Sequence, residues 1–328
     1  MQTPPLPFSS PHFTLHELGE GVFAAIAIDG GSAISNAGII DLGERTLVFD
    51  TFMTPEAGAD LRAAARQVTG REPALVVNSH YHNDHIWGNQ AFSPQTLFIS
   101  TARTLELMQT AGRDEIEWAQ DIGPDGLGRS RQHYESAADE FTRRDALMWT
   151  GYYGGLVQAL STLSVRFPDV TFNGRLSING SARSVELIPF ANSHTAEDLI
   201  MHLPDSGIVF MADLLFVGCH PYLDEAEIPA LRNTLAEISS WGAPTLVPGH
   251  GPLGAQPDIV SNLDYISMCT DAAMHLIATG DTSEERIAGV VPPEPFAHWG
   301  LSRFFAANLE SLCARFTAEK QASAQGSG

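Results

Sequence analysis

The chain has 328 residues, 44% hydrophobic and 17% charged, a globular mixture able to bury a sizeable core. Acidic residues (39) outnumber basic ones (18) for a formal charge of −21, and Lys320 is the only lysine; such a surface repels phosphate backbones and excludes nucleic acid as a partner. No apolar run approaches the ~20 residues of a membrane span, and the first ten residues lack the basic and apolar regions of a signal peptide, so a cytoplasmic protein acting on a small molecule is expected, away from membranes.

Residues 1–12 are proline-rich and read as an extended arm. Short apolar runs at 22–28, 33–40 and 46–50, separated by Asp29-Gly30-Gly31 and Asp41-Leu42-Gly43-Glu44, read as strands joined by tight turns. Thr54-Pro55-Glu56 is a helix start, with a helix over 57–68 stopping at Gly70. A buried strand at 74–78 leads directly into a histidine-rich loop, and another strand lies at 97–100. Residues 102–166 change to helical patterns at 104–110, 114–120, 131–150 and 156–163, with Gly123-Pro124-Asp125-Gly126 as a break. This stretch reads as a helical insertion. Strands resume at 170–172, 176–178 and 184–189, followed by a hairpin of 199–203 with 208–212, a helix at 228–241 and a strand at 245–248. Residues 256–318 are mostly helical, and 319–328 read as a disordered tail. The two batches of strands, each interrupted and followed by helices, point to a layered α/β sandwich. Cys219, Cys269 and Cys313 form neither a disulfide framework nor a metal knuckle and read as core thiols.

The chemistry concentrates in His80-Tyr81-His82-Asn83-Asp84-His85, where four potential ligands fall within six residues just after a buried strand. Imidazole and carboxylate together suit zinc and similar first-row metals. Without a metal, such crowding costs desolvation and repulsion for no gain, whereas clusters of this kind mark functional sites. Downstream, His194 in Ser193-His194-Thr195, Asp213 in Met211-Ala212-Asp213-Leu214 and His250 between Gly249 and Gly251 stand in similar contexts. Taken singly, each has a plain alternative: a core histidine, a strand-end turn former, an ordinary Pro-Gly-His-Gly turn.

In this order and spacing, the His80-x-His82-x-Asp84-His85 motif, His194, Asp213 and His250 resemble the metallo-β-lactamase superfamily. Ser35-Asn36-Ala37-Gly38 and Val48-Phe49-Asp50-Thr51 resemble that family's first strands, and the likeness spans roughly residues 20–255. It implies a four-layer αββα sandwich, here a single domain over 13–318 with the insertion at about 102–166. It also implies two divalent metal ions, with zinc the first choice and manganese or iron(II) also suited to the donors. One ion would take His80, His82 and His194, the other Asp84, His85 and His250, with Asp213 bridging; Asp84 and Asp213 would thus also be the catalytic carboxylates. A hydroxide shared by the two metals would attack an ester-type bond, in a carboxylic ester, lactone, thioester or phosphoester. Two divalent ions against two carboxylates and one hydroxide leave the site at roughly +1, suited to an oxyanion.

Asp50 and Asp198 are expected to orient ligand histidines from behind. His220 and Tyr222, then Trp87 and Phe216, are the expected substrate contacts, and Met53, Tyr81, Asn83, Tyr152 and Tyr153 lie in suitable segments. The insertion is expected to act as a lid. Asp213 argues against the β-lactamase branches, where Cys or Ser usually stands. A β-lactam hydrolase and a mononuclear iron dioxygenase of the same fold are the alternatives, and a homodimer is left open.

Overall fold

The computed structural model describes residues 4–325. β1 (Phe13–Gly19), β2 (Val22–Ala27), β3 (Ala37–Asp41) and β4 (Thr46–Phe49) form an antiparallel meander. The crossover from β4 is α1 (Pro55–Thr69), which begins where Thr54 Oγ1 accepts the Ala57 amide (3.2 Å) and ends at Gly70 with φ 72°. β5 (Pro73–Val77), β6 (Leu97–Thr101) and β7 (Val170–Phe172) then add in parallel, giving seven strands in chain order. Between β5 and β6 a single helical turn, α2 (Asn83–Ile86), carries part of the histidine motif. The strand expected from residue 33 starts only at Ala37. Ile34 there takes φ 71° and the Asn36 side chain is drawn into loop contacts, so the pairing cannot extend back.

α3 (Ala102–Gln109), α4 (Ala111–Ser136) and α5 (Glu140–Leu160) lie between β6 and β7 in the chain. The break expected at residues 123–126 is absent: α4 runs through Pro124. Its glycines serve packing instead, since a Cβ on Gly126 would stand 2.3 Å from the Tyr153 ring of α5. The interruption falls at residues 137–139, where the Asp139 carboxylate caps α5 by accepting the Thr142 amide (2.8 Å).

In the second sheet β8 (Leu176–Asn179), β9 (Ser184–Ala191), β10 (Glu197–Leu203) and β11 (Ile208–Phe216) pair antiparallel in succession. After α6 (Ile228–Ser240), β12 (Thr245–His250) docks parallel to β11. α7 (Gln256–Thr279), α8 (Glu284–Ala288) and α9 (Arg303–Gln325) complete the chain. Helix thus covers residues expected to be a structureless tail as far as Gln325; residues 326–328 lie outside the described residues. α9 is anchored by buried Leu309 and Leu312, and the Ala, Glu, Lys and Gln that follow are good helix formers able to propagate it.

The inner faces of the sheets meet through Val22, Ala24 and Phe49 on one side and Leu199, Met201 and Phe210 on the other, and the Phe49 and Phe210 rings lie 6.1 Å apart. α1 covers the outer face of the first sheet with Ala57, Leu61 and Ala64. α6, α7 and α9 cover the outer face of the second with Leu231, Leu235, Ile259 and Leu309. Four layers result, in the order αββα. Each large side chain so buried contributes about 1.5–3 kcal/mol, which fixes the strand ends that carry the site.

Candidate metal centre

β4 and β5 run parallel, so their C-terminal ends open on the same edge of the sheet. At the end of β4, Asp50 takes φ 60°, a costly conformation for a residue with a Cβ. The turn aims its carboxylate across to the neighbouring loop: Oδ1 accepts the Ser79 amide (2.7 Å) and Oδ2 meets His85 Nδ1 (2.9 Å). The carboxylate fixes the His85 ring and leaves Nε2 facing the centre. Thr51 Oγ1 donates to the His85 carbonyl (3.1 Å), and Ser35 Oγ to that of Asp84 (2.5 Å). His80 and His82 precede α2; Asp84 and His85 lie within it.

The remaining donors come from the second sheet. β11 loses register around Ala212, whose φ is 44°, and this irregularity turns Asp213 into the centre. β12 ends on Gly249-His250, followed by Gly251. A Cβ on Gly249 would sit 1.9 Å from Asp213 Oδ1, and one on Gly251 1.9 Å from the Val217 carbonyl, so only glycine lets His250 approach. Asn36 locks this loop: its Nδ2 donates to the carbonyls of Pro248 and Gly251 (both 2.9 Å) and its Oδ1 accepts the Ala27 amide (3.0 Å). Asp198 accepts the amide of His194 (2.8 Å) and the amide and hydroxyl of Thr195. It therefore places His194 through the backbone rather than through the ring, as expected of an orienting carboxylate but by a different route. The ring itself donates Nδ1–H to the Tyr222 carbonyl (3.1 Å), leaving Nε2 inward.

All seven expected ligands come together. Donor atoms of His80, His82, His194 and Asp213 lie within 4.8 Å of one another, as do those of Asp84, His85 and His250. Asp213 also reaches the second group: Oδ1 is 3.0 Å from His85 Nε2 and Oδ2 is 3.3 Å from His250 Nε2. Its Oδ2 lies 3.4 Å from His194 Nε2, so one carboxylate touches both groups. His85 Nε2 and Asp213 Oδ1 are buried and make no hydrogen bond. Buried polar atoms without partners are rare, and two such atoms facing each other among imidazoles fit a bound cation. The protonation tendencies divide the cluster. Burial and the neighbouring imidazoles of His85 and His82 push His80 well below the usual histidine range, and burial holds His194 at about 4, so both rings are neutral donors. Burial also acts to lower His82, His85 and His250, but the carboxylates of Glu225 at His82, which rises to about 9, and of Asp213 at His85 and His250 outweigh it, so these rings favour a proton whose place a cation would take. Burial would raise Asp213, but His250 and His85 outweigh it and keep the carboxyl well below its ordinary value.

Two carboxylates not expected from the sequence stand behind this shell. Glu225 Oε1 accepts from Tyr81 OH (2.6 Å) and from His82 Nε2 (3.1 Å), so His82 presents Nδ1, which lies 3.1 Å from His80 Nε2 and 3.2 Å from His194 Nε2. Glu115, on α4, accepts from the Asn83 side chain (2.7 Å) and amide (3.3 Å); burial pushes its carboxyl up to about 7. Both come from loops or the insertion, where spacing carries no signal.

The expected substrate contacts fare differently. Trp87 is 2% exposed and packs with Met53, Tyr81 and the insertion's Leu107 and Leu156. Phe216 stacks on the His250 ring at 4.8 Å, 17° between planes, so it backs a ligand. His220, 1% exposed, bonds Tyr265 OH (3.0 Å) among Trp299 and Phe305. Each was expected from closeness in sequence to a ligand, but the turn that follows α2 buries Trp87, and the β11 irregularity with the tight loop after it turns Phe216 and His220 into the core. Tyr222 does stand at the centre, with its ring 6.1 Å from that of His82. Tyr152 faces a cavity beside His250.

The layered fold agrees with what comparison with known proteins gives. A model of the metallo-beta-lactamase superfamily matches residues 30–250. A metallo-beta-lactamase from Pontibacter korlensis superposes with a TM-score of 0.56 at 16% identity, over 78% of this chain and 99% of that one. A stereoselective inverting sec-alkylsulfatase from a Pseudomonas species superposes with a TM-score of 0.63 at 17% identity, over 92% of this chain and 50% of that one. In sequence, a linear primary-alkylsulfatase from a Pseudomonas species is 21% identical over 267 residues, 78% of this chain and 50% of the relative. The chain therefore spans about half the length of the alkylsulfatases it matches. With two thirds of its length under one family model, the chain belongs to the metallo-β-lactamase superfamily.

Proposed function

We propose that this protein is a dinuclear metal-dependent hydrolase of an ester-type bond in a small molecule. The observation that carries the reading is the contact of Asp213 with both ligand groups, together with the unpartnered His85 Nε2 and Asp213 Oδ1. His80, His82, His194 and Asp213 would hold one divalent ion, and Asp84, His85, His250 and Asp213 the other. When bound, the ions would acidify a water and polarise the scissile bond.

The chain's own residues have definable parts in this. Asp50, Glu225 and the Tyr222 carbonyl fix the rings of His85, His82 and His194 so that one nitrogen of each faces inward. Tyr81 donates its hydroxyl to the same Glu225 carboxylate and so helps fix it against His82. The insertion packs over the histidine loop through Leu107, Met108 and Leu156 and keeps bulk water from that side. Similarity to two alkylsulfatases adds a sulfate ester to the bonds considered, beside carboxylic ester, lactone, thioester and phosphoester. No helix among the described residues is long and apolar enough to cross a membrane.

The test is a hydrolytic panel with zinc- and manganese-loaded protein, covering aryl and alkyl esters, lactones, thioesters, phosphodiesters, sulfate esters and a β-lactam. Turnover of at least one ester class, abolished in Asp213→Ala, supports the reading. Hydrolysis of the β-lactam alone, or one iron per chain with oxygen consumption, would overturn it.

A further inference from the structure

A cavity of about 150 Å³ opens beside the metal centre, bounded on one side by the ligand His250. Its walls come from three places far apart in sequence: Ile28 and Ile34 from the β2–β3 loop, Met148 and Tyr152 from α5 of the insertion, and Val217 and Leu301 from the segments that follow β11 and precede α9. The inner end, at Cys219 and His250, is buried. The outer end is solvent-facing, with Ile28 38% exposed and the Arg144 side chain 62%. The cavity thus runs from a metal ligand to bulk water along an apolar wall, as a substrate-binding cleft does.

Two physical quantities decide what fits. The first is size: an apolar protein cavity of roughly 150 Å³ accommodates a benzene ring, about six carbons. The second is charge. The wall's one cation, Arg144, is already paired, with its Nε 2.6 Å from Asp29 Oδ2, and Asp29 itself lines the same rim. A second carboxylate placed there would meet Asp29 as well as Arg144, so the rim offers no net positive charge to an anionic group.

We infer that this cavity is the specificity pocket of the enzyme and that it takes a compact, uncharged apolar group of about six carbons, an aryl or branched alkyl, attached to the bond being cleaved. The inference rests on the proposed hydrolytic reading for what happens at the His250 end, but pocket occupancy does not require turnover. α5 supplies one of the three walls, through Met148 and Tyr152, so the insertion sets substrate choice by shape. Met148 is the determinant: it faces the cavity and packs against Gly300, where a Cβ would stand 2.7 Å from its Sδ. A long linear chain has no room to coil inside and would have to leave by the Ile28 rim.

The experiment uses the full chain, freed of metal with a chelator so that no ion can capture a carboxylate, and ¹⁹F NMR with three probes: 4-fluorobenzyl alcohol, 4-fluorobenzoate and 8-fluorooctan-1-ol. The neutral aryl probe is expected to bind at least tenfold more tightly than the benzoate and at least fivefold more tightly than the octanol. Met148→Trp, which fills the cavity, should weaken the aryl probe at least tenfold. Met148→Ala, which enlarges it, should narrow the gap between aryl and octyl probes; circular dichroism checks the folding of both. Absence of aryl binding, equal binding in Met148→Trp, or benzoate binding as tightly as the alcohol would overturn the inference. Aryl binding in a protein inactive on every ester would leave the pocket standing and count against the hydrolytic reading instead.

Discussion

Glu225 gives the sharpest test of how the centre is held. Its Oε1 accepts two hydrogen bonds at once, from Tyr81 OH at 2.6 Å and from His82 Nε2 at 3.1 Å. The second sets the His82 tautomer: with Nε2–H committed to the carboxylate, Nδ1 carries the free lone pair and faces His80 and His194. Removing a partner that fixes a ligand histidine typically costs 10–100-fold in metal affinity. The Glu225 side chain is 37% exposed, so water can replace part of what Glu225→Ala removes and screens the charge. The lower end therefore applies: about tenfold weaker metal binding, or ~1.4 kcal/mol. Glu225→Gln keeps a carbonyl acceptor without the charge and should lose only about threefold, less than the neutral-to-charged hydrogen-bond difference would give in a dry site. The assay is competition for zinc against a fluorescent chelator, alongside kcat/KM on whichever ester is turned over. Zinc affinity of Glu225→Ala within twofold of the parent, in a folded protein, would refute the assignment.

Other consequences can be checked in parallel. Gly249→Ala drives a Cβ to 1.9 Å from Asp213 Oδ1, so Asp213 must move; metal content should fall and activity drop at least tenfold, by elemental analysis and initial rates. Asn36→Ala removes three buried or part-buried hydrogen bonds, two to the His250 loop and one to the Ala27 amide that anchors the side chain on β2, at about 1 kcal/mol each. It should lower the unfolding free energy by about 2–3 kcal/mol in a urea titration. Protons compete with metal for the histidines, whose ordinary pKa is about 6.5; metal content and activity should therefore fall together as pH drops from about 6.5 to about 4.5. Activity that stays flat to pH 4 would contradict histidine ligation.

The four-ligand cluster was legible from local signals, since so many donors crowded within six residues cost desolvation and repulsion without a cation, and short apolar runs bounded by turns read as buried strands. The four layers and the three distant donors His194, Asp213 and His250 were legible only through the resemblance to the metallo-β-lactamase superfamily, because each of those donors alone has a plain alternative. Asn36 and Ser35 were visible as a motif, but not as ties reaching Pro248, Gly251 and Asp84 across the sandwich. What was not legible depended on where the chain turns. Trp87, Phe216 and His220 follow ligands closely and still point into the core: the turn after α2 buries Trp87, and Ala212 with the loop after β11 redirects the backbone around Phe216 and His220. Gly123 and Gly126 looked like a helix break because glycine marks both loops and close helix contacts, and only the position of Tyr153 separates the two. Glu115 and Glu225 approach the centre from segments 30 and 143 residues or so away from His82, at spacings that carry no pattern.

The central claim is that Asp213 joins two metal sites in one centre. Titration of zinc into the metal-free chain, followed by calorimetry, tests it most directly. The account predicts two ions bound per chain in the parent protein and a loss of affinity at both sites in Asp213→Ala, because this carboxylate touches both donor groups. A single ion per chain, or an Asp213→Ala protein that still binds two with parental affinity, would contradict it.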